Sequence, residues 1–286
     1  MTDYRRPLEF GYFLEPGAAD PGATLAAGRL VDALGFDLLG IQDHPYQPRF
    51  LDTWTLLSAL GAQTRRVRLF PDVASLPLRP PAVLAKAAAS LDLITGGRVE
   101  LGLGTGAFWD PIAAMGGPRR TPGEAVAALD DAIEVVRLWW SGERSVRYDG
   151  THYSLKGSHP GPVPAHPMGI WLGAYGPKML DLVGTKADGW LPSMGYLAPE
   201  KLKEANRRID MAAGAAGREP SRINRVYNLM GDRSAAEWID LLTTLSLEHG
   251  MNGYVFSGPA DEAALRRVVE EIAPAVRETV AKERRR

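Results

Sequence analysis

The feature that most constrains the fold of this chain is a regular alternation of short apolar runs with longer segments of helical periodicity. Short apolar runs bounded by turn residues are typical of parallel strands that are buried on both faces. We predict eight strands, at 8–14, 37–41, 67–76, 98–103, 169–174, 189–193, 223–230 and 253–256. A predicted helix follows each strand, at 23–34, 53–64, 80–94, 122–140, 177–185, 199–216, 235–248 and 261–282.

Eight strand–helix units in a chain of 286 residues predict an α/β fold of the (β/α)8 TIM-barrel type. No linker divides the chain, so we expect a single domain over residues 1–286. The alternation pauses at 142–168, where an Asp149-Gly150 pair predicts a hairpin over 147–153 and four prolines predict a loop over 156–167. The sequence therefore predicts a barrel with an insertion after the fourth helix, and this insertion is a candidate lid.

The composition excludes several classes of function. Lys and Arg number 33 against 34 Asp and Glu, and this balance argues against a nucleic-acid partner. The absence of cysteine excludes disulfides, thiolate catalysis and Cys-ligated metals, and no histidine or carboxylate cluster predicts another metal site. A polar segment at 1–7 and the lack of any apolar run of ~20 residues predict neither a signal peptide nor a membrane span. We therefore expect a cytoplasmic protein.

Asp43 and His44 follow the second predicted strand directly. Catalytic groups of a barrel lie at the carboxyl ends of its strands, and a histidine can donate or accept a proton near neutral pH. The pair is therefore a candidate for acid–base chemistry. The alternative is structural, with Asp43 capping the loop and His44 packing inside it.

Two further strand ends carry glycines. Gly102, Gly104 and Gly106 occupy every second position at the end of the fourth strand, which indicates that a backbone or a ligand comes very close there. The run Tyr175-Gly176-Pro177-Lys178 begins a predicted helix, and the free N–H groups of a helix start favour an anion such as phosphate. An ordinary helix start with proline in its first turn is the alternative.

Three blocks together resemble one superfamily. Asp43-His44, the run at 97–106, and the runs at 172–179 and 187–191 are similar, in order and spacing, to the luciferase-like flavin-dependent monooxygenases and deazaflavin oxidoreductases. The resemblance implies a (β/α)8 barrel that holds FMN or the deazaflavin coenzyme F420 at the carboxyl ends of its strands. The Asp-His pair is similar to that of the deazaflavin branch and favours F420, hence hydride transfer.

The resemblance also implies roles for individual residues. Gly104, Thr105 and Gly106 would line the ring system, and Tyr175, Gly176, Pro177 and Lys178 would hold the ribityl chain or the phosphate. A non-prolyl cis peptide near Asp72, Val73 and Ala74 would form a bulge behind the ring. His44 would be the proton donor or acceptor, and Asp43 would orient it.

One departure from the family pattern bears on the substrate. The sugar-phosphate dehydrogenases of the deazaflavin branch carry a Glu directly after the Gly-Thr-Gly turn, where this chain has Ala107. An apolar pocket is predicted instead, suited to a small apolar organic substrate. Its expected lining is aromatic: Phe13, Tyr46, Phe50, Phe108 and Trp109.

The resemblance leaves two alternative functions open and also bears on the oligomeric state. The first alternative is an FMN-dependent monooxygenase that uses reduced flavin and O2, with a separate reductase as its partner. The second is a barrel that has lost turnover and serves as a structural subunit. Because the family commonly forms dimers, a homodimer is expected.

Overall fold

The eleven strands of the described residues form a barrel and a separate hairpin. The computed structural model describes residues 3–286. Its strands are β1 (Glu9–Leu14), β2 (Leu38–Ile41), β3 (Arg68–Pro71), β4 (Ala74–Ser75), β5 (Leu101–Gly104), β6 (Val146–Asp149), β7 (Ser154–Ser158), β8 (Ile170–Leu172), β9 (Gly189–Trp190), β10 (Asn224–Leu229) and β11 (Gly253–Phe256). Nine of them form one parallel sheet in the order β3-β2-β1-β11-β10-β9-β8-β5-β4.

The sheet closes on itself at the third strand. The run predicted as one strand at 67–76 is divided into β3 and β4 by a cis peptide bond between Asp72 and Val73. β4 pairs with β5, while a parallel bridge joins Leu69 of β3 to Val99, just before β5. The two halves therefore act as one of eight barrel strands, and the predicted TIM barrel is confirmed.

The helices follow the strands as expected. They are α1 (Pro21–Leu34), α2 (Thr53–Gln63), α3 (Pro81–Thr95), α4 (Trp109–Ala114), α5 (Pro122–Trp139), α6 (Pro177–Lys186), α7 (Pro199–Ala215), α8 (Ala235–Leu247), α9 (Glu262–Arg267) and α10 (Ala273–Arg285). The short α4 was not predicted. The predicted last helix is interrupted by a π-helical segment at Val268–Ile272, next to Pro274, which lacks the N–H of a regular turn. None of the helices described between residues 3 and 286 has the length and apolar character needed to cross a membrane.

The insertion after α5 lies along the outside of the barrel. β6 and β7 pair antiparallel, which confirms the hairpin, although β7 takes residues 156–158 that were expected in a loop. Val146 and Leu155 pack on Val135 of α5, and the Tyr148 hydroxyl donates to Asp131 at 2.8 Å. These contacts place the hairpin on the outer wall formed by the helices. They give no support to a lid over the strand ends, and that role stays a prediction.

The barrel interior is layered along its axis. A small apolar cluster fills the middle, with Phe13 and Val73 packed against it and only partly buried. Its buried members are Leu38, Phe70, Trp171, Leu191, Val226 and Val255. At the end where the strands begin, Arg68 pairs with Glu9 and, at 2.9 Å, with Glu100. This ion-pair network occupies the end of the barrel where the strands begin, opposite to the end where Asp43 and His44 follow β2.

His166 fastens the end of the insertion to the base of the barrel. Glu100 lies 3.7 Å from its Nε2 and Asp92 lies 3.0 Å from its Nδ1, and these carboxylates raise the pKa of His166 to about 9. Asp92 is fully buried at the end of α3 and also accepts the backbone N–H groups of Val99 and Ala165. This histidine, in the segment predicted as a loop, is therefore an ion-pair partner of two carboxylates.

We predict that the contribution of His166 to stability depends on pH. A pKa of about 9 in the folded state, against ~6.5 in the unfolded chain, means that the contribution is complete below pH ~6.5 and is lost as the pH rises through about 9. Allowing for solvent screening, His166→Asn should lower the free energy of unfolding by about 1–2 kcal/mol at pH 6.5. Urea unfolding at pH 6.5 and 10 measures the effect, and an equal loss at both pH values would contradict the ion pairing.

Candidate functional site

His44 lies in an aromatic cluster where β2 and β5 end. Its ring stacks on Tyr46, with centroids 5.3 Å apart and an interplanar angle of 18°. Phe108, from the loop after β5, meets the His44 ring edge-on at 5.5 Å and lies 6.1 Å from Tyr46. The structure therefore brings together three of the predicted site residues from two strand ends that are distant in sequence.

The surroundings of His44 favour its neutral form. Burial lowers the pKa of His44 below its usual value, and the nearby carboxylate of Asp43 opposes this only in part. Its Nδ1 lies 3.4 Å from the side-chain Nε2 of Gln42. The backbone carbonyl oxygen of Gln42 accepts a hydrogen bond of 2.6 Å from the Thr53 hydroxyl. In this orientation of the Gln42 amide its nitrogen is the donor, which matches a ring proton on Nε2. The neutral imidazole can therefore take up one proton, and the imidazolium that forms can give it back.

Asp43 is held by groups other than the His44 ring. Its carboxylate is 1% exposed and accepts two bonds of 2.7 Å from Arg79 and one of 2.9 Å from the Ser75 N–H. Arg79 also donates to Asp52, which caps α2. Burial lowers the pKa of Arg79, but these carboxylates outweigh it and raise the pKa above its usual value. Among the recorded hydrogen bonds of residues 3–286 none joins Asp43 to the His44 ring, so Asp43 can orient it only through the loop.

The glycines after β5 are explained mainly by protein packing. A Cβ at Gly102 would lie 2.0 Å from the Pro71 carbonyl oxygen, and one at Gly104 would lie 2.7 Å from Cγ2 of Val73. Gly106 has a φ of 88°, and a Cβ there would approach Pro77 within 2.7 Å. The close approach predicted at these positions is therefore made by the divided strand β3–β4 and its neighbour. Ligand contacts of the main chain at 104–106, including the half-buried Thr105, stay a prediction.

The cis peptide expected near Asp72, Val73 and Ala74 is present between Asp72 and Val73. Oδ1 of Asp72 accepts a bond of 3.1 Å from Nδ2 of Asn228, while its Oδ2 is buried without a partner. Burial raises the pKa of Asp72 to about 7, against the lowering effect of Asn228. Nδ2 of Asn228 also lies 3.2 Å from Oγ of Ser193, and its Oδ1 has no partner. A polar patch therefore lies beside the apolar Val73 in the barrel mouth.

The start of α6 is open. Gly176 occupies the N-cap position without a side-chain cap, and a Cβ at this position would meet nothing within 4 Å. Tyr175, Pro177 and Lys178 are exposed, and the Tyr175 ring lies 5.4 Å from that of Tyr196. Exposed N–H groups beside a lysine are suited to a phosphate group.

Three predicted pocket residues do not join the His44 cluster. Phe13 packs on the apolar cluster inside the barrel, and Phe50 forms a backbone bridge with Gly17. Trp109 begins α4, and no ring contact between it and His44 is recorded. Their place in a substrate pocket stays a prediction.

The sequence analysis missed Arg79, Ser193 and Asn228 as members of the site. Asn228 had a readable signal, because it is a polar residue near the end of the apolar run at 223–230. Arg79 had none, since it lies in a connecting segment, and its link to Asp43 exists only in the folded chain.

The described residues fit an organic cofactor. Asp72 and Asn228 each carry a buried oxygen without a partner in the described part of the chain, close to the apolar Val73 that follows Asp72. The uncapped start of α6 adds a place for a phosphate. Residues 3–286 contain no group of three or more side chains placed to hold a metal ion. A flat ring with a polar edge and a phosphorylated side chain matches these features.

Comparison with known proteins identifies the family. The sequence matches the profile of the luciferase-like monooxygenases over residues 8–284. The chain belongs to this family. The predicted superfamily is thereby confirmed.

The luciferase-like chain has deazaflavin-dependent relatives. It is 34% identical over 224 residues to a protein named F420-dependent glucose-6-phosphate dehydrogenase from Microbacterium testaceum, with 74% of this chain and 64% of that protein covered. It is 32% identical over 221 residues to 5,10-methylenetetrahydromethanopterin reductase of Methanolobus tindarius, covering 76% and 63% of the two proteins. The chain thus spans less than two thirds of the length of these two relatives. The names of the two relatives describe oxidoreductases, and that of the first states F420 dependence.

Solved structures share the luciferase-like barrel. An F420-dependent secondary alcohol dehydrogenase, in complex with an F420-acetone adduct, superposes with a TM-score of 0.85 at 19% identity over 95% of this chain and 99% of that one. The oxygenating constituent of a type II Baeyer-Villiger monooxygenase from Pseudomonas putida, in complex with FMN, gives 0.73 at 16% identity over 94% and 99%. At these identities the likeness supports the fold.

Proposed function

We propose that this chain is an oxidoreductase that uses coenzyme F420 for hydride transfer to or from a small, apolar organic substrate. The observation that carries the proposal is the placement of a neutral His44 between Tyr46 and Phe108 at the strand ends. A proton donor or acceptor beside apolar rings is what a two-electron reduction of a carbonyl or imine compound requires. The deazaflavin supplies or receives the hydride, and the protein positions the reactants.

In this proposal His44 exchanges a proton with the substrate at the oxygen or nitrogen atom of the bond being reduced or oxidised. In the oxidising direction the neutral imidazole takes the proton from the substrate and becomes imidazolium, and in the reducing direction the imidazolium donates that proton. Asp43 is a positioning residue, because its bonds to Arg79 and Ser75 fix the start of the loop that carries His44.

The cofactor would lie across the barrel mouth. The main chain of Gly104, Thr105 and Gly106 and the bulge at Asp72, Val73 and Ala74 would bound its ring system. The backbone N–H groups of Gly176 and Lys178 would bind its phosphate, together with the Lys178 ammonium group. Pro177, which has no N–H, and Tyr175 would lie beside them.

An apolar substrate is favoured by the residues that follow the glycine turn. Ala107 and Phe108 are exposed there and present a methyl group and a phenyl ring. A sugar phosphate would need charged or hydroxyl-binding partners at this place, which these side chains do not provide. We assign Phe13, Tyr46, Phe50, Phe108 and Trp109 to the substrate side, with Tyr46 and Phe108 nearest to the acid–base group.

A side-by-side binding titration tests the proposal. Purified protein is titrated with F420 and with FMN, and cofactor fluorescence is followed. Tight binding of F420 alone supports the proposal, and turnover of carbonyl, enone and imine compounds is then measured. Tight binding of FMN alone replaces it with an oxygen-consuming monooxygenase that needs a separate reductase. If the protein binds neither cofactor, the proposed catalytic function is wrong, and the alternative of a structural subunit remains.

Two expectations go with the proposal. A homodimer is expected by analogy with the family, and sedimentation equilibrium measures it. A cytoplasmic location is expected as well, and cell fractionation measures it.

A further inference from the structure

The carboxyl group of Asp72 occupies an inward position at the upper end of the barrel. A Cβ added at Gly40 of β2 would lie 3.1 Å from its Oδ2 and 2.8 Å from the Phe70 ring. Glycine at position 40 therefore leaves room for this carboxyl group. On the other side its Oδ1 is bonded to Asn228 of β10. The carboxyl group thus lies across the interior, between two strands that are far apart in sequence.

Asp72 and Asn228 each have one side-chain oxygen that takes part in no hydrogen bond within residues 3–286. Nδ2 of Asn228 is used twice, toward Asp72 at 3.1 Å and toward Ser193 at 3.2 Å. Oδ2 of Asp72 and Oδ1 of Asn228 are buried and have no partner among the described residues. Native proteins satisfy nearly all buried polar atoms, so these two oxygens on bonded neighbours form a pair of polar positions that a ligand or an ordered water can complete.

The surroundings of Asp72 keep its charge low. Gly40 and Ser193 bring no charge, and Asn228 is an amide. The phenol of Tyr175 is the titratable neighbour, and burial raises its pKa. No ion pair to Asp72 is recorded within residues 3–286, and burial raises the pKa of this carboxyl group to about 7. The acid form, which carries an O–H donor, is therefore well populated at neutral pH.

We propose that Asp72 and Asn228 form a subsite that binds the amide-type edge of a heterocycle, with Asp72 Oδ2–H donating to a ring carbonyl and Asn228 Oδ1 accepting a ring N–H. Such a donor beside an acceptor is complementary to the –CO–NH– edge of a pyrimidinedione. This inference rests on the proposed function, in which the ring is that of a deazaflavin or flavin. It assigns the polar edge of that ring to two side chains and a specific protonation state.

The pH dependence of cofactor binding tests the subsite. Above its pKa the Asp72 carboxylate loses its donor and places a charge against the ring carbonyl, so F420 binding to the unchanged chain should weaken about tenfold or more between pH 6 and 8.5. Asp72→Asn keeps an N–H donor that cannot ionise, and its affinity should follow pH only as the cofactor itself titrates. The ratio of the two dissociation constants is therefore the measured quantity, with Asp149→Asn on the exposed hairpin as a matched control.

A second variant and a second readout keep the test independent of one substitution. Asn228→Ser removes the acceptor and should weaken binding at every pH while the pH dependence persists. Infrared difference spectra of the apoprotein, unchanged chain against Asp72→Asn, should show a protonated carboxyl band at pH 6 that disappears by pH 8.5. Thermal unfolding at pH 6 confirms that each variant is folded.

The outcomes separate this inference from the proposed function. Binding of F420 or FMN with the same pH profile in the unchanged chain and in Asp72→Asn overturns the subsite alone. A carboxyl group that is ionised at pH 6 also overturns it. Binding of neither cofactor to the unchanged chain overturns the proposed function and the subsite together.

Discussion

Replacing Arg79 by alanine should lower the free energy of unfolding by about 3–5 kcal/mol, because it leaves the carboxylate of Asp43 buried without its cation. The side chain of Asp43 is 1% exposed, and Arg79 bonds to both of its oxygens. After the change only the Ser75 N–H remains as a recorded donor. Urea unfolding at pH 7 measures the loss.

Two controls separate the buried charge from the loss of a long side chain. The double variant Arg79→Ala/Asp43→Asn no longer buries a charge and should recover a large part of the lost stability. Arg119→Ala breaks an ion pair with Asp110 in which both side chains are more than half exposed, and should change stability little. Equal effects of Arg79→Ala and Arg119→Ala would show that Asp43 does not depend on its partner.

Replacing His44 by alanine should reduce hydride transfer by about 10²-fold or more while F420 still binds, because the group that exchanges the proton is lost. Stopped-flow reduction or oxidation of the cofactor measures the step, and fluorescence titration measures binding. Unchanged turnover would remove His44 from the mechanism.

Two control variants accompany His44→Ala. One places another polar side chain at position 44, and the other replaces a distant histidine. His44→Asn retains a hydrogen-bonding group that cannot titrate, and should be as slow as the alanine variant. His159→Ala, in the exposed part of the insertion, should be unaffected. Since burial lowers the pKa of His44, the acid limb of the pH–rate profile for substrate oxidation should lie below the ~6.5 of free histidine, and it should be missing in His44→Asn.

Most of the barrel could be predicted from the sequence because each strand is a compact apolar run that ends in turn residues. The exceptions have local causes. The run at 67–76 reads as one strand, since nothing in its composition marks the cis bond that divides it after Asp72. Pro274 is visible in the sequence, but the π-helical segment beside it depends on how the last helix packs.

The candidate site could be predicted only where its residues lie next to each other in the sequence. Asp43 and His44 are adjacent and could be selected as candidates, whereas the partners of Asp43 come from residues 75 and 79. The glycines at 102 and 104 correctly indicated a close approach, but the sequence does not say that Pro71 and Val73 make it. Long-range pairings of this kind are set by the register of the closed sheet.

Because Gly102 and Gly104 fit closely against the divided strand β3–β4, residues 71–104 can be exchanged between related proteins only as one segment. Neither the bulge at 72–74 nor the glycine-containing strand β5 can be exchanged alone, because any side chain at position 102 would meet the Pro71 carbonyl oxygen. In a chimaera between two barrels of this family, both segments have to come from the same parent. Directed evolution of the mouth will therefore find its freedom at positions such as Ala107 and Phe108, which are exposed and belong to no such pairing.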